Sequence, residues 1–164
     1  MATTLNTTHE DLYTDIRKYL LSLFPDCEVI RGYSNNVPLP KTPFMLMNII
    51  NETDLNTNID YFHKTEGIGQ ISRSVEVAMQ IDFYGESSSY SSRVFANLWR
   101  DYHACSRLER CQPLYIDPPK YLPLSNEYAE FEQRWMVTAY MTYNPIVTYE
   151  QDFVSEATII LDNL

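Results

Sequence analysis

Two apolar periods alternate along this chain, and they divide it into elements. Leu12, Ile16, Leu20 and Leu23 recur four, four and three residues apart, the pattern of one buried stripe on a helix. Thr8 supplies a capping hydroxyl with Asp11 three residues on, and Pro25 closes the pattern, so the spacing predicts a first helix that covers a sheet. Cys27 to Tyr33 reads as a brief strand, and residues 34–43, with three prolines and two asparagines, as a loop. Phe44 to Ile50 is an apolar run of strand length, as expected for a strand buried on both faces.

The period then changes to two. From Ile71 to Tyr84, Val75, Val77, Met79, Ile81 and Phe83 alternate with Ser74, Glu76, Ala78, Gln80 and Asp82, which predicts a strand with one core face and one wetter face. Tyr128 to Tyr143 repeats the alternation, with Phe131, Trp135, Val137, Ala139 and Met141 opposite Glu130, Glu132, Arg134, Thr138 and Thr142. Between these strands, Gly85 stops the first, and Ser87 or Ser88 caps a helix whose apolar face is read as Tyr90, Val94, Leu98, Tyr102 and Cys105. Prolines around Leu114-Tyr115-Ile116 demote that segment to an edge or connector. Ile146 to Tyr149 and Thr158 to Leu161 are further strand candidates, and the polar stretch 51–70, punctuated by Gly67 and Gly69, reads as a long flexible loop. The expectation is a single domain spanning 1–164, of α+β class: a mainly antiparallel sheet of about four to five strands covered by two helices.

Composition sharpens this picture. The 164 residues suffice for one domain, and at 45% apolar and 21% charged they can form a core. Twelve Lys and Arg stand against 22 Asp and Glu, a formal charge of −10, which opposes tight binding to nucleic acid because such binding is driven by neutralising phosphates. No apolar run approaches the roughly 20 residues that span a bilayer, so no membrane contact is expected. The opening MATTLNTTHEDLY lacks the features of a secretory signal, so the chain is expected to be made in the cytoplasm. Cys27, Cys105 and Cys111 are odd in number and include no CxxC pair, which favours reduced structural thiols.

Candidate chemistry is sparse. Asp82, Glu130 and Glu132 fall on polar faces of two strands and are the carboxylates a metal-dependent hydrolase would draw on, but no Glu-x-Lys accompanies them. His103, Cys105 and Cys111 supply three zinc-type ligands and lack a fourth. Gly67-Ile68-Gly69 precedes a strand, whereas a phosphate cradle follows one, and the serines at 87–89 and 91–92 sit in no nucleophile elbow. The expectation is no enzyme activity, no catalytic residue, no metal and no cofactor.

Charge placement says more. Residues 111–164 hold 2 basic and 8 acidic groups, whereas residues 61–110 hold 6 of each. Arg93, Arg100 and Arg107 recur every seven residues and would form one stripe on a continuous helix, with Trp99 at its border. Such a stripe can meet the acidic C-terminal third of a neighbouring copy in a head-to-tail contact, with Trp99 as anchor. Thirteen tyrosines add amphipathic surface suited to assembly.

The series Ile81-Asp82-Phe83-Tyr84-Gly85 with the serine-rich helix start, Pro113-Leu114-Tyr115-Ile116-Asp117, Gln133-Arg134-Trp135, Tyr143-Asn144 and Asp152-Phe153 resembles the neck or tail terminator (tail completion) proteins of tailed bacteriophages. The resemblance implies a structural subunit of the virion neck, assembled in the host cytoplasm. It implies a hexameric ring that caps the head-proximal end of the tail tube and stops its polymerisation. It names as partners the tail tube protein, a head-completion or connector protein and, as a further candidate, the sheath protein. The nearest alternative is that the chain is itself a head-completion protein. DNA would pass the channel without tight binding, and Glu130 and Glu132 are candidates to face it.

Overall fold

The computed structural model describes residues 3–32, 38–63, 65–125 and 131–152. In chain order the elements are β1 (Thr4–Leu5), α1 (His9–Leu23), β2 (Glu28–Arg31), β3 (Phe44–Asp54), β4 (Ile59–His63), β5 (Ile68–Ser72) and β6 (Val75–Tyr84). There follow α2 (Ser88–Trp99), α3 (Tyr102–Cys105), β7 (Gln112–Ile116), β8 (Lys120–Tyr121), β9 (Leu124–Ser125), β10 (Phe131–Glu132), β11 (Arg134–Tyr143) and β12 (Ile146–Glu150).

The large sheet is built on β6, whose alternation lets one side enter the core while its backbone pairs on both edges. All ten residues of β11 lie antiparallel to it, from Arg134 opposite Tyr84 to Tyr143 opposite Val75. On its other edge β3 runs antiparallel, with a register shift between Ile49 and Asn51. Parallel β2 extends the sheet beyond β3, and β7 and β8 both pair with β11. A second, four-stranded sheet has the order β1-β12-β5-β4 with every pairing antiparallel, and β9 pairs with β10.

Both long helices cover one face of the large sheet. In α1 the capping box forms as its sequence dictates: Thr8 Oγ1 accepts from the Asp11 amide and Asp11 Oδ2 accepts from the Thr8 amide at 2.7 Å. Those bonds hold the Asp11 carboxyl below its ordinary pKa. Leu12, Ile16 and Leu20 enter one core with Val77, Met79, Ile81 and Phe83 of β6, Phe95 and Trp99 of α2, and Val137, Ala139 and Met141 of β11. The Tyr13 hydroxyl accepts from the Ile49 amide at 2.8 Å, pinning α1 to the irregular point of β3.

This architecture corrects the expected sheet of about four to five strands under two helices. The described residues hold a six-stranded and a four-stranded sheet, a further strand pair and three helices. Some of the extra strands, β1, β8 and β9, are two-residue pairings; the rest come from residues 51–70, where the polar composition suggested a loop and the structure has the end of β3, all of β4 and the start of β5. The end of β3 and all of β4 are exposed on both faces, so no apolar alternation marks them, while β5 is half-buried. The strand expected from Tyr128 begins, among described residues, at Phe131 and divides into β10 and β11, while Thr158 to Leu161 lies outside the described residues.

Candidate functional site

The arginine stripe is not one surface. α2 ends at Trp99, and Asp101 starts α3 by capping it, its Oδ1 accepting from the His103 amide at 2.9 Å. The helical phase is therefore lost between Arg100 and Tyr102, and the seven-residue spacing no longer places three side chains in line. Arg93 is exposed on α2, and Arg107 is exposed in the turn after α3. Arg100 reaches back across its own subunit and donates from Nη2 to the Ile116 carbonyl at 2.6 Å. Trp99 is buried among Tyr19 and Phe95 and donates from Nε1 to the Tyr140 carbonyl at 3.2 Å, so it is a core residue and anchors no neighbour.

The helix also buries a different face from the one its apolar residues suggested. Ser88, Ser91, Ser92, Phe95, Ala96 and Trp99 point inward. Tyr90 and Tyr102 are 71% and 79% exposed, Cys105 is exposed, and Val94 and Leu98 are half-buried. Small serines let the helix approach the sheet closely while Phe95 and Trp99 fill the space beyond them. Tyr90 and Arg93 thus face outward on α2, and Tyr102 is exposed on α3.

The acidic candidates separate in the same way. Asp82 is buried on the sheet face away from the helices, where Oδ1 accepts from Arg134 Nε at 3.0 Å and Oδ2 from Gln80 Nε2 at 2.7 Å. One oxygen thus joins β6 to β11, and the other is taken up within β6. Glu132 is half-buried beside a cleft of about 490 Å³ lined by Leu39, Pro40, Lys41, Thr42 and Phe44. Glu130 lies outside the described residues.

The candidate zinc ligands are likewise apart in role. His103 Nδ1 meets the Tyr19 hydroxyl at 3.1 Å, and Cys111 is buried with its thiol pushed up to about 12, first by burial and then by Asp15. Cys105 is exposed. Among the described residues no three His, Cys, Asp or Glu side chains gather as a metal-binding group. No helix among them is long and apolar enough to cross a membrane.

One surface escaped the sequence reading. The β4–β5 hairpin exposes Ile59, Tyr61 and Phe62 beside Leu55, and its signal was faint: the short run Ile-Asp-Tyr-Phe-His between polar stretches. On β5, a Cβ at Gly69 would stand 2.6 Å from Tyr149 Cζ, so only glycine leaves room for that ring on the sheet face. On the helix-free face of the large sheet, stacked pairs Phe44–Tyr84 and Tyr115–Tyr140, 4.4 and 4.2 Å between centroids, form two aromatic blocks.

What these residues present is surface for contact, with Arg100, Asp82 and Arg134 engaged within the subunit and Arg93 and Arg107 left exposed. The match to known families agrees with that character. A family model described as phage neck terminator protein matches residues 10–163, and the chain belongs to that family. It is thus a structural protein of the phage neck, with its place in the virion. No curated protein matches the chain.

Proposed function

We propose that the protein assembles as a hexameric ring on the head-proximal end of the tail tube. There it ends tube polymerisation and offers its upper surface to the head-completion proteins. The family match over residues 10–163 carries this reading. The charge supports it: six subunits of −10 sum to about −60, and an acidic wall lets DNA pass without holding it. In this reading Arg93 and Arg107, exposed and outside the core, meet an acidic neighbour, and Glu132 contributes to the channel side.

Deleting the gene from the phage is expected to give tails of irregular length, or finished tails unattached to filled heads. Electron microscopy of the infected lysate reads the outcome. Normal virions would reject the role. Tails of uniform length beside DNA-leaking heads would move the protein to the head-completion step instead.

A further inference from the structure

A helix packed on a sheet normally turns its apolar stripe to the core. In α2 one stripe does the reverse. Tyr90, Val94 and Leu98 recur every four residues and so share one side of the helix. That side points outward: Tyr90 is 71% exposed and Val94 and Leu98 are half-buried, while Ser88, Ser91 and Ser92 face the sheet. Single apolar side chains on a surface are ordinary. Three at a helical period on an outward face, led by a tyrosine, are the anchors of a helix that lies in a groove.

A groove of matching character lies on the other flank of the subunit. α2 sits over the β11 and β7 flank of the large sheet, where Trp99 donates to the Tyr140 carbonyl and Arg100 to the Ile116 carbonyl. α1 sits over the opposite flank, tied by Tyr13 to the Ile49 amide of β3 and by Arg17 to the Val29 carbonyl of β2. Between α1 and β2 is a groove of about 310 Å³ whose apolar lining is Tyr13, Val29, Ile30 and Met47. Its charged lining is Glu10, ion-paired with Arg31, and Arg17, so two guanidiniums stand against one carboxylate. α2 carries the opposite set: the exposed Arg93 lies between Glu86 and Asp101, exposed carboxylates that precede and follow the helix.

We propose that the outward stripe of α2 in one subunit lies in the α1–β2 groove of the next, with Tyr90 as its anchor. This rests on the ring reading above and names the two surfaces that make its subunit contact. Tyrosine suits the place, since its ring is covered by the apolar lining while its hydroxyl stays at the polar rim. Arg93 then meets Glu10, and a carboxylate flanking α2 meets Arg17. Stripe and groove occupy opposite flanks, so the contact runs head to tail. Each subunit has one surface to give and one to receive, and the series closes when the rotation closes.

The test mixes two variants. Tyr90→Arg spoils the stripe and leaves the groove intact, and Thr14→Arg, at an exposed position lining the groove, does the reverse. In light scattering each variant alone is expected to stay monomeric where the unaltered protein forms the ring, with its thermal midpoint unchanged. An equimolar mixture should give dimers and nothing larger, because each pair retains one intact stripe and one intact groove. A mixture that stays monomeric, or either variant forming the ring by itself, would overturn this contact and leave the ring reading standing. An unaltered chain that is monomeric at every concentration and on tails would remove both. As a check free of substitutions, hydroxyl-radical labelling of Tyr90 in the unaltered protein should be lost on assembly; labelling that persists in the ring would overturn the proposal.

Discussion

Asp15 of α1 is a buried carboxylate whose Oδ2 accepts from the amides of Glu109 and Arg110, at 2.9 and 2.7 Å. It ties the turn after α3 to the first helix, a link across more than ninety residues that no local pattern announces. Asp15→Ala leaves two amides without their charged acceptor and should cost about 2–4 kcal/mol in urea unfolding, with Asp15→Asn costing less. Arg134→Ala takes the charged partner from the buried Asp82 carboxylate and leaves it the Gln80 amide. Because the Arg134 side chain is 23% exposed, the expected loss is about 2–3 kcal/mol, below the range for fully buried pairs. Replacing both partners by apolar residues should recover much of it. At the alkaline end, burial pushes Tyr19 and Tyr143 up to about 12, with Glu52 adding to the shift at Tyr143, and Cys111 behaves alike. The folded chain holds these protons more tightly than the unfolded one. Their stabilisation is therefore complete below the ordinary values of 9.0 for Cys and 10.0 for Tyr, and is lost as the pH rises toward 12. Unfolding midpoints measured across that range should decline, and Tyr143→Phe should make the decline above pH 10 shallower.

At the scale of elements, α2 distinguishes burial from hydrophobicity. Ser92 is fully buried and Tyr90 largely exposed. Ser92→Leu should overfill the helix–sheet contact and cost about 1–3 kcal/mol, while Tyr90→Ser should shift thermal stability by no more than about 0.5 kcal/mol. The reverse order would put the helix on its other face. Where a period marked a core face, the sequence was a sufficient guide: the core-facing residues of β6 and the middle of β11, and the Leu12, Ile16 and Leu20 stripe of α1 with its capping box, lie where their periods placed them, although Ala78, Asp82 and Tyr84 on the other face of β6 are buried as well. It failed where packing used small polar residues, as at Ser91 and Ser92, and where both faces of a strand are wet, as in β4. The arginine stripe failed for a third reason. Its period presumed one helix through residues 93–107, and the cap at Asp101 interrupts it.

For the whole molecule, the revised placement of charge separates two kinds of arginine variant. Arg100→Glu removes the bond to the Ile116 carbonyl and should lower the stability of the single subunit. Arg93→Glu with Arg107→Glu touches exposed groups, so it should leave the thermal midpoint within about 2 °C while reducing the oligomer fraction in light scattering, most strongly at low salt. An unchanged oligomer would take both residues out of the subunit contact.

The connection between the two sheets has a mechanical consequence. Residues 55–58, 73–74 and 144–145 carry the chain from one sheet to the other, and they meet the large sheet where Asp54, Val75 and Tyr143 lie side by side. A pull on the small sheet along the strand axes therefore reaches β3, β6 and β11 at one level and is shared among the three. No one of the three is drawn away from its neighbours first, so the long ladders are not peeled open from that end. A subunit loaded through its small sheet would gain its toughness from that sharing.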